Sequence, residues 1–267
     1  MRFERIDGPE DPRVAGFREV PDPERLQSQG LFVAEGRLVV RRVLEDARYR
    51  VRAVLVNEAS MRQLTSVFER SPADCPIFLA ESRDFVGLTG HDLHRGCLAL
   101  VERPAAVSPE SVLGSAKRIV ILEGIANADN VGGVFRNAAA FDAGGVLLSP
   151  TCCDPLYRKA IRTSMGAVLH VPFARFDEWP APLIRVRVSG FTIAALTPRE
   201  PSESLDVFCG RARSERIALV AGTEGVGLSA AVEAAADHRV RIPISGAVDS
   251  LNVAVAVGIA LYALTRR

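Results

Sequence analysis

Polar side chains of the types that bind a substrate hydroxyl or move its proton stand at three places in the C-terminal half of the chain. The first block holds Asn130 and Arg136, the second holds Glu224, and the third holds Ser250 and Asn252. Each block adjoins an apolar, strand-like run, and open α/β sheets bind ligands at the ends of such strands. We therefore expect the three blocks to meet at one edge of a sheet.

Each of these residues also has a purely structural interpretation. Asn130 is a good helix N-cap, and Ser250 can cap a helix that begins at Leu251. Arg136 falls in the first turns of a helix, where a cation gains nothing from the helix dipole, so it serves either a surface ion pair or a site. Asn252 would lie in the first turn of its helix, a place that asparagine does not favour, which points to a site.

The second block is rich in glycine and permits a competing interpretation. Residues 225–230 match Gly-x-Gly-x-x-Ala, a pattern found in dinucleotide-binding folds. That pattern requires an acidic residue about 20 positions later, at the end of the next strand. Here the next strand ends in Arg241, Ile242 and Pro243, and the match follows the fourth strand of its domain, not the first. A nicotinamide-dependent oxidoreductase is therefore only a distant alternative.

The elements that must position these blocks form an alternating α/β pattern. Five apolar runs, at residues 119–122, 145–148, 191–196, 217–221 and 240–244, are separated by helical patterns near 131–143, 156–167, 228–236 and 251–265. Such alternation predicts a parallel, doubly wound sheet.

A smaller α/β unit precedes this domain. Strands are predicted near residues 30–36, 51–56, 76–80 and 98–101, with helices at 37–47, 62–68 and 84–88. Before them, an extended lead-in through residue 29 is expected to contain at most one short helix. The proline-containing segment that follows residue 102 reads as a linker. We predict an N-terminal domain over 1–104, a linker over 105–116 and a C-terminal domain over 117–267.

Composition limits the partners and the cellular compartment that can be expected for this protein. The chain has 267 residues, 48% of them hydrophobic, and a net charge of +1, so binding to nucleic acid would need a local basic patch. Five cysteines without a Cys-x-x-Cys pair predict neither a metal site nor a disulfide framework, and favour the cytoplasm. The start of the chain lacks a signal peptide's apolar core, and the longest apolar stretch, 253–264, is too short for a bilayer, so no membrane association is expected.

Together the three blocks resemble the motifs of the SpoU/TrmH family of RNA ribose 2′-O-methyltransferases, in the SPOUT superfamily, over residues 119–264. The resemblance implies a parallel-sheet SPOUT domain with a deep trefoil knot, S-adenosylmethionine as cofactor, and a homodimer that buries the helix 253–264. It also implies that Arg136 activates the ribose hydroxyl or holds the adjacent phosphate. Glu224 would order a loop as a hydrogen-bond acceptor, and the Ser250–Asn252 segment would close the cofactor pocket and donate hydrogen bonds, with Asn130 in support.

In the same family the cofactor is held largely by main-chain groups. By motif position, the cofactor-binding residues of this chain are expected to be Leu196, Thr197, Gly222, Ile242 and Leu251. No metal is implied.

RNA contacts are expected from two basic segments. A helix after the second strand carries Arg158 and Arg162, whose alternative interpretation is a solvated basic face. The N-terminal unit, through residues 32–36 and 94–96, resembles the ribosomal-protein-like substrate-binding domain that precedes many SpoU cores. Its predicted helix carries three arginines suited to a phosphate patch, Arg37, Arg41 and Arg42. His94 is more typical of a structural, hydrogen-bonded histidine than of a base.

The function implied is transfer of a methyl group from S-adenosylmethionine to a ribose 2′-hydroxyl in structured RNA. Large-subunit rRNA is the favoured substrate, because the N-terminal unit resembles rRNA-binding modules, and tRNA is the alternative. A catalytically silent RNA-binding protein of the same fold is a second class, which the intact Arg136, Glu224 and Asn252 argue against.

Overall fold

A computed structural model of the protein describes residues 3–20, 22–71, 75–89, 96–212 and 216–266. The chain divides into two compact units. The first comprises Met1–Ala105 with Leu156–Gly166, and the second comprises Ala106–Pro155 with Ala167–Arg267. The segment 156–166, which the sequence places within the C-terminal domain, therefore packs with the first unit.

The first unit is built on a mixed five-stranded sheet of order β1-β4-β3-β5-β2. Its central strand β3 pairs in parallel with β4 and antiparallel with β5. The strands are β1 (Phe3–Arg5), β2 (Leu31–Glu35), β3 (Val51–Val56), β4 (Ile77–Leu79) and β5 (Cys97–Glu102). The helices are α1 (Pro23–Ser28), α2 (Arg37–Glu45), α3 (Glu58–Phe68), α4 (Ser82–Thr89) and α7 (Arg158–Thr163).

The start of the chain is more ordered than its polar composition suggests. Instead of an extended lead-in, it forms β1, a 3-10 helix over Pro12–Glu19 and α1. Val14, Phe17 and Val20 recur every third residue, which matches the three-residue turn of a 3-10 helix, and all three are buried in the core of the first unit.

The second unit is built on a seven-stranded parallel sheet of order β10-β12-β9-β11-β6-β7-β8. The strands are β6 (Arg118–Glu123), β7 (Val146–Leu148), β8 (Phe173–Arg175), β9 (Phe191–Leu196), β10 (Glu203–Ser204), β11 (Arg216–Gly222) and β12 (His238–Arg241). The prediction of a parallel α/β sheet is confirmed. The sequence indicated five of these strands and missed two. Strand β8 reads Phe-Ala-Arg, with one buried residue, and is not an apolar run, and β10 has only two residues.

The helices of the second unit cover the sheet and flank its carboxyl edge. They are α5 (Pro109–Ser115), α6 (Ala128–Ala140), α8 (Leu183–Val188), α9 (Leu205–Arg211), α10 (Ala230–Ala235) and α11 (Val253–Thr265), with a 3-10 helix over Ala167–Leu169. Helix α5 lies in the segment predicted as a linker, and its Val112 and Leu113 are buried in the core of this unit. Within the described ranges, no helix is both long and apolar enough to cross a membrane.

Strands β12, β9, β11 and β6 are consecutive in the sheet and run parallel, so their carboxyl ends share one edge. That edge is where the three polar blocks of the sequence emerge, as expected for an open α/β sheet.

Candidate active site

A cavity of about 160 Å³ lies at the carboxyl edge of the second sheet, where β9, β11 and β12 end. Its walls come from the residues that follow these strands and from the start of α11. The five residues expected to bind a cofactor all line it: Leu196, Thr197, Gly222, Ile242 and Leu251. Glu224 and Ser250 line it as well. The structure thus brings most of the predicted site residues into one cavity.

The glycine-rich turn after β11 forms one wall of the cavity and folds back on itself. A Cβ added to Gly222 would lie 2.4 Å from the carbonyl carbon of Gly227, so only glycine permits this approach. Gly225 and Gly227 have φ angles of 83° and 73°, in the left-handed region that favours glycine. The Gly227 N–H donates to the Thr223 carbonyl at 3.0 Å, which closes the turn.

The geometry of this turn argues against a dinucleotide site. A dinucleotide fold leaves the N-terminus of the following helix open for a pyrophosphate. Here α10 is capped by Ser229, whose hydroxyl accepts from the Val232 N–H. The carboxylate of Glu123 accepts from the Ser229 N–H at 2.9 Å and from its hydroxyl at 2.7 Å. A negative charge therefore already occupies the place where a phosphate would bind.

Asn252 joins the three polar blocks. Its Nδ2 donates to Asn130 Oδ1 at 2.8 Å and to Glu224 Oε1 at 2.7 Å. Its Oδ1 accepts from the N–H groups of Ala254 and Val255 at 3.0 and 3.4 Å. The two backbone donors fix which side of the amide is oxygen, so the assignment of the nitrogen follows. Both protons of the Asn252 amide are thereby committed to holding Asn130 and Glu224.

The helix caps that were the structural alternatives for Asn130 and Ser250 do not form, because other residues cap these helices. Asn252, not Ser250, is the N-cap of α11, which begins two residues later than predicted. Asn127, not Asn130, caps α6, because its side chain accepts from the Asp129 N–H. Asn130 lies inside the first turn of α6 and is 7% exposed, so its polar group is buried against the Asn252 amide.

Close packing of α6 against α11 brings these asparagines together. A Cβ on Gly133 would lie 2.7 Å from the Ala254 Cβ. One turn further along α6, Asn137 donates from Nδ2 to the Ala254 carbonyl at 2.6 Å. The small residue at 133 therefore sets the separation at which the site can form.

Arg136 lies on α6 and is exposed. Among the described residues it has neither a hydrogen bond nor an ion pair, so the surface ion pair weighed from the sequence does not form. Its guanidinium is available to a ligand, and arginine binds phosphate and carboxylate groups through two parallel hydrogen bonds.

Comparison with known proteins agrees with this geometry. The profile described as the SpoU rRNA Methylase family matches residues 117–262. A relative from Mycobacterium bovis, named as an uncharacterized tRNA/rRNA methyltransferase, is 37% identical over 97% of this chain and 90% of its own. The chain belongs to the SpoU rRNA methylase family. The family predicted from the three blocks is thus confirmed.

Solved structures share the fold. A crystal structure of an AdoMet-bound rRNA methyltransferase from Sinorhizobium meliloti aligns with a TM-score of 0.80 at 22% identity, covering 98% of this chain and 97% of that one. A crystal structure of an RNA 2′-O ribose methyltransferase aligns with a TM-score of 0.79 at 26% identity, covering 97% of each chain.

The SpoU-family site also contains a residue that the sequence analysis did not single out. Glu123, at the carboxyl end of β6, accepts from the Trp179 indole N–H at 2.8 Å as well as from Ser229. It thereby ties the strand before the first block to the end of the glycine-rich turn. The sequence did offer one signal for Glu123, since it is an acidic residue at the end of a buried parallel strand.

The basic residues expected to meet RNA all lie in the first unit and differ in their availability. Arg37 donates to Ser60 and Gln63, Arg42 donates to the Met165 carbonyl, and Arg158, whose side chain is 14% exposed, is paired with Glu35 at 2.7 Å. Arg162 is exposed and lies 4.0 Å from Glu35. Arg41 is exposed and has no polar partner among the described residues. His94 falls outside the described residues.

Within the described part of the chain, no three histidine, cysteine or acidic side chains cluster in a way that could hold a metal ion. All five cysteines are free thiols, and burial raises the pKa of Cys97 to about 12.

Proposed function

We propose that this SpoU-family protein transfers a methyl group from S-adenosylmethionine to a ribose 2′-hydroxyl in structured RNA. The observation that carries the proposal is the meeting of the cavity with the Asn130–Asn252–Glu224 cluster at one edge of the sheet. Arg136 follows on the same helix as Asn130, is exposed, and has no polar partner among the described residues. The family match supports RNA methylation. The aligned RNA 2′-O ribose methyltransferase supports the ribose hydroxyl as acceptor.

The cofactor is S-adenosylmethionine, and the residues of the cavity fit it. Leu196, Ile242 and Leu251 offer apolar surface for a purine, and the turn from Gly222 offers backbone groups for its polar edges. The carboxylate of Glu224 supplies a negative charge that suits a sulfonium ion. When bound, the cofactor supplies an electrophilic methyl group. The aligned Sinorhizobium meliloti protein was crystallised with the same compound.

The chain's own residues position the acceptor. In the reaction the ribose oxygen forms a bond to the methyl carbon, the carbon–sulfur bond breaks, and the hydroxyl proton leaves. Positioning in line with the breaking bond is the main requirement. The planar guanidinium of Arg136 orients the hydroxyl or holds the neighbouring phosphate, and the hydroxyl proton leaves through that phosphate or through solvent.

The first unit binds the RNA, and large-subunit rRNA is the favoured substrate, with tRNA as the alternative. The Mycobacterium bovis relative is named a tRNA/rRNA methyltransferase, and the Sinorhizobium meliloti protein is named an rRNA methyltransferase. Both names support an RNA substrate of these two classes. Of the five arginines expected to meet RNA, Arg41 and Arg162 are the exposed ones, so we assign the phosphate contacts to these two first. The domain limits of 1–104 and 117–267 belong to the same proposal.

The protein acts as a homodimer in the cytoplasm, and its second unit carries a trefoil knot. The support for a dimer is an apolar stripe on the outer side of α11, where Val255, Ile259 and Tyr262 are 50%, 37% and 48% exposed. Residues spaced by four and three along a helix share one face. A second copy of the chain would cover that face.

Binding of S-adenosylhomocysteine, the demethylated product, tests the cofactor assignment. A ligand at 100 times its Kd stabilises the native state by about 2.7 kcal/mol. We expect this compound to raise the melting temperature and NADH to leave it unchanged. A shift with NADH and none with S-adenosylhomocysteine would overturn the assignment.

A further inference from the structure

A charged cluster lies behind the cofactor cavity and joins all of the strand ends that form it. Glu233 on α10 has a side chain only 6% exposed. Its Oε1 accepts from the Thr197 hydroxyl at 2.9 Å and from Arg199 Nη1 at 3.2 Å. Arg239 on β12 lies 3.7 Å from the other carboxylate oxygen. A buried carboxylate needs such partners, because an unpaired charge in the interior is strongly destabilising.

Arg199 connects this cluster to the glycine-rich turn. Its Nη1 also donates to the Leu228 carbonyl at 3.0 Å, and its Nη2 donates to the Val226 carbonyl at 2.5 Å. Both carbonyls belong to the turn that forms one wall of the cavity. The glycines leave the turn flexible in the unfolded chain, so contacts made by other residues must hold its shape.

We propose that Arg199 and Glu233 are positioning residues, which hold the glycine-rich turn in the form that accepts the cofactor. Glu233 fixes the guanidinium, and the planar fork of the guanidinium fixes two carbonyls of the turn. The consequence for cofactor affinity rests on the proposed function, whereas the ordering of the turn does not. If the turn is closed for only a fraction of the time, the apparent Kd rises in inverse proportion to that fraction.

Arg199→Met and Arg187→Met form a matched pair for the test. Arg187 is similarly exposed and bonds one carboxylate and one carbonyl, those of Asp237 and Ala235, where Arg199 bonds one carboxylate and two carbonyls. Arg187 does not line the cavity. In the full-length protein without ligand, amide hydrogen exchange across 222–229 is expected to speed up in Arg199→Met and to match wild type in Arg187→Met. Unchanged exchange in Arg199→Met would overturn the proposal.

Cofactor affinity gives the second readout. We expect the Kd of S-adenosylhomocysteine to rise on the order of tenfold in Arg199→Met, since two charge-assisted hydrogen bonds to the turn are lost. The KM for S-adenosylmethionine should rise with it while kcat at saturation is kept. The Kd of Arg199→Lys should lie between those of wild type and Arg199→Met, because lysine keeps the positive charge near Glu233 but lacks the planar guanidinium that bonds two carbonyls. A Kd in Arg199→Met equal to that in Arg187→Met would contradict the proposal.

Two controls keep the outcomes separate. If Arg199→Met does not fold, Glu233→Gln preserves the shape of the side chain, removes its charge, and should speed exchange across 222–229 to a smaller degree. If wild type does not bind S-adenosylhomocysteine, the cofactor assignment fails. In that case faster exchange in Arg199→Met would still support the positioning role.

Discussion

At the scale of single residues, the hydrogen bonds separate positioning groups from groups free to act. Asn252 uses its amide fully, on two partners in the site and two backbone N–H groups. It therefore holds Asn130 and Glu224 in place and has no donor left for a substrate. Arg136 is exposed and has no polar partner among the described residues. The chemistry proposed for the RNA hydroxyl accordingly falls to Arg136.

Replacing Arg136 by alanine should lower turnover about 100-fold or more, in the range of a lost proton-transfer group. Stability and affinity for S-adenosylhomocysteine should change little, because Arg136 contacts no described part of the fold through a polar bond. Arg136→Lys should fail as well, since lysine cannot form the bidentate contact. Single-turnover methyl transfer beside a melting curve checks both variants. Near-normal turnover in Arg136→Ala would remove this residue from the mechanism.

Asn252→Asp separates two roles of Asn252, namely its hydrogen bonds to Asn130 and Glu224 and its capping of α11. Aspartate still accepts from the backbone N–H groups at the start of α11, so the cap is kept. It replaces the donor that faces Glu224 Oε1 at 2.7 Å by an acceptor, so two carboxylates meet, and Asn130 must turn its amide to offer a donor. We expect about a tenfold or greater loss of turnover, because the hydrogen bond to Glu224 is replaced by repulsion between like charges. Asn252→Ser introduces no charge and keeps a capping side chain, so it should lose less turnover than Asn252→Asp. A larger loss in Asn252→Ser would contradict the role given to the Asn252–Glu224 hydrogen bond.

At the scale of elements, the sequence predicts the strands that form continuous apolar runs. It misses the features that depend on contacts between residues distant in sequence. The long buried strands of the second sheet are visible as apolar runs because both faces of a parallel sheet are covered. The caps were misplaced because Asn127 and Asn130, like Ser250 and Asn252, are equally suitable residues only a few positions apart. Packing of segment 156–166 with the first unit could not be read from the chain, since it depends on contacts with residues more than 100 positions away.

The candidate site was predictable to the extent that its motifs are contiguous. The five cavity-lining residues followed from resemblance and lie together in the structure. Glu123, Arg199 and Glu233 lie outside those motifs. Their roles depend on partners brought close by the sheet, and no spacing in the sequence signals such partners.

Packing of α6 on α11 gives a prediction at this scale. Gly133→Ala would place a methyl group 2.7 Å from the Ala254 Cβ, so α11 must shift and the Asn130–Asn252 contact must lengthen. We expect a net loss of about 1–3 kcal/mol in the free energy of unfolding, typical of overpacking. Gly114→Ala is the control, because that helical glycine has no atom within 4 Å of an added Cβ. It should gain up to about 1 kcal/mol from helix propensity. Urea denaturation measures both, and equal effects would contradict the packing argument.

At the scale of the whole molecule, the proposed dimer rests on the exposed apolar stripe of α11, formed by Val255, Ile259 and Tyr262. Large apolar patches are uncommon on soluble monomers and mark interaction surfaces. An adjoining groove is lined by Pro243 together with Ile259 and Tyr262 of the stripe, and also by the charged residues Asp206 and Arg266. A second copy of the chain that covered the stripe would therefore meet both apolar and charged groups.

The double variant Val255→Glu, Ile259→Glu should be monomeric. Charges on an apolar interface remain solvated in the monomer and lose solvent in the dimer, so association is penalised while the fold of each copy is retained. Light scattering at micromolar concentration should give a dimer for wild type and a monomer for the variant, with similar circular dichroism. A monomeric wild type would contradict the dimer.

The most direct test of the central claim is methyl transfer followed by identification of the product. Purified protein is incubated with S-adenosylmethionine, carrying a labelled methyl group, and with rRNA or tRNA from cells lacking the gene. The RNA is then digested to nucleosides, and the labelled nucleoside is identified by mass spectrometry. The account predicts a 2′-O-methylated nucleoside at one main position of large-subunit rRNA, lost in Arg136→Ala. Label on a base instead of a ribose, or no transfer to either RNA by a protein that binds the cofactor, would contradict it.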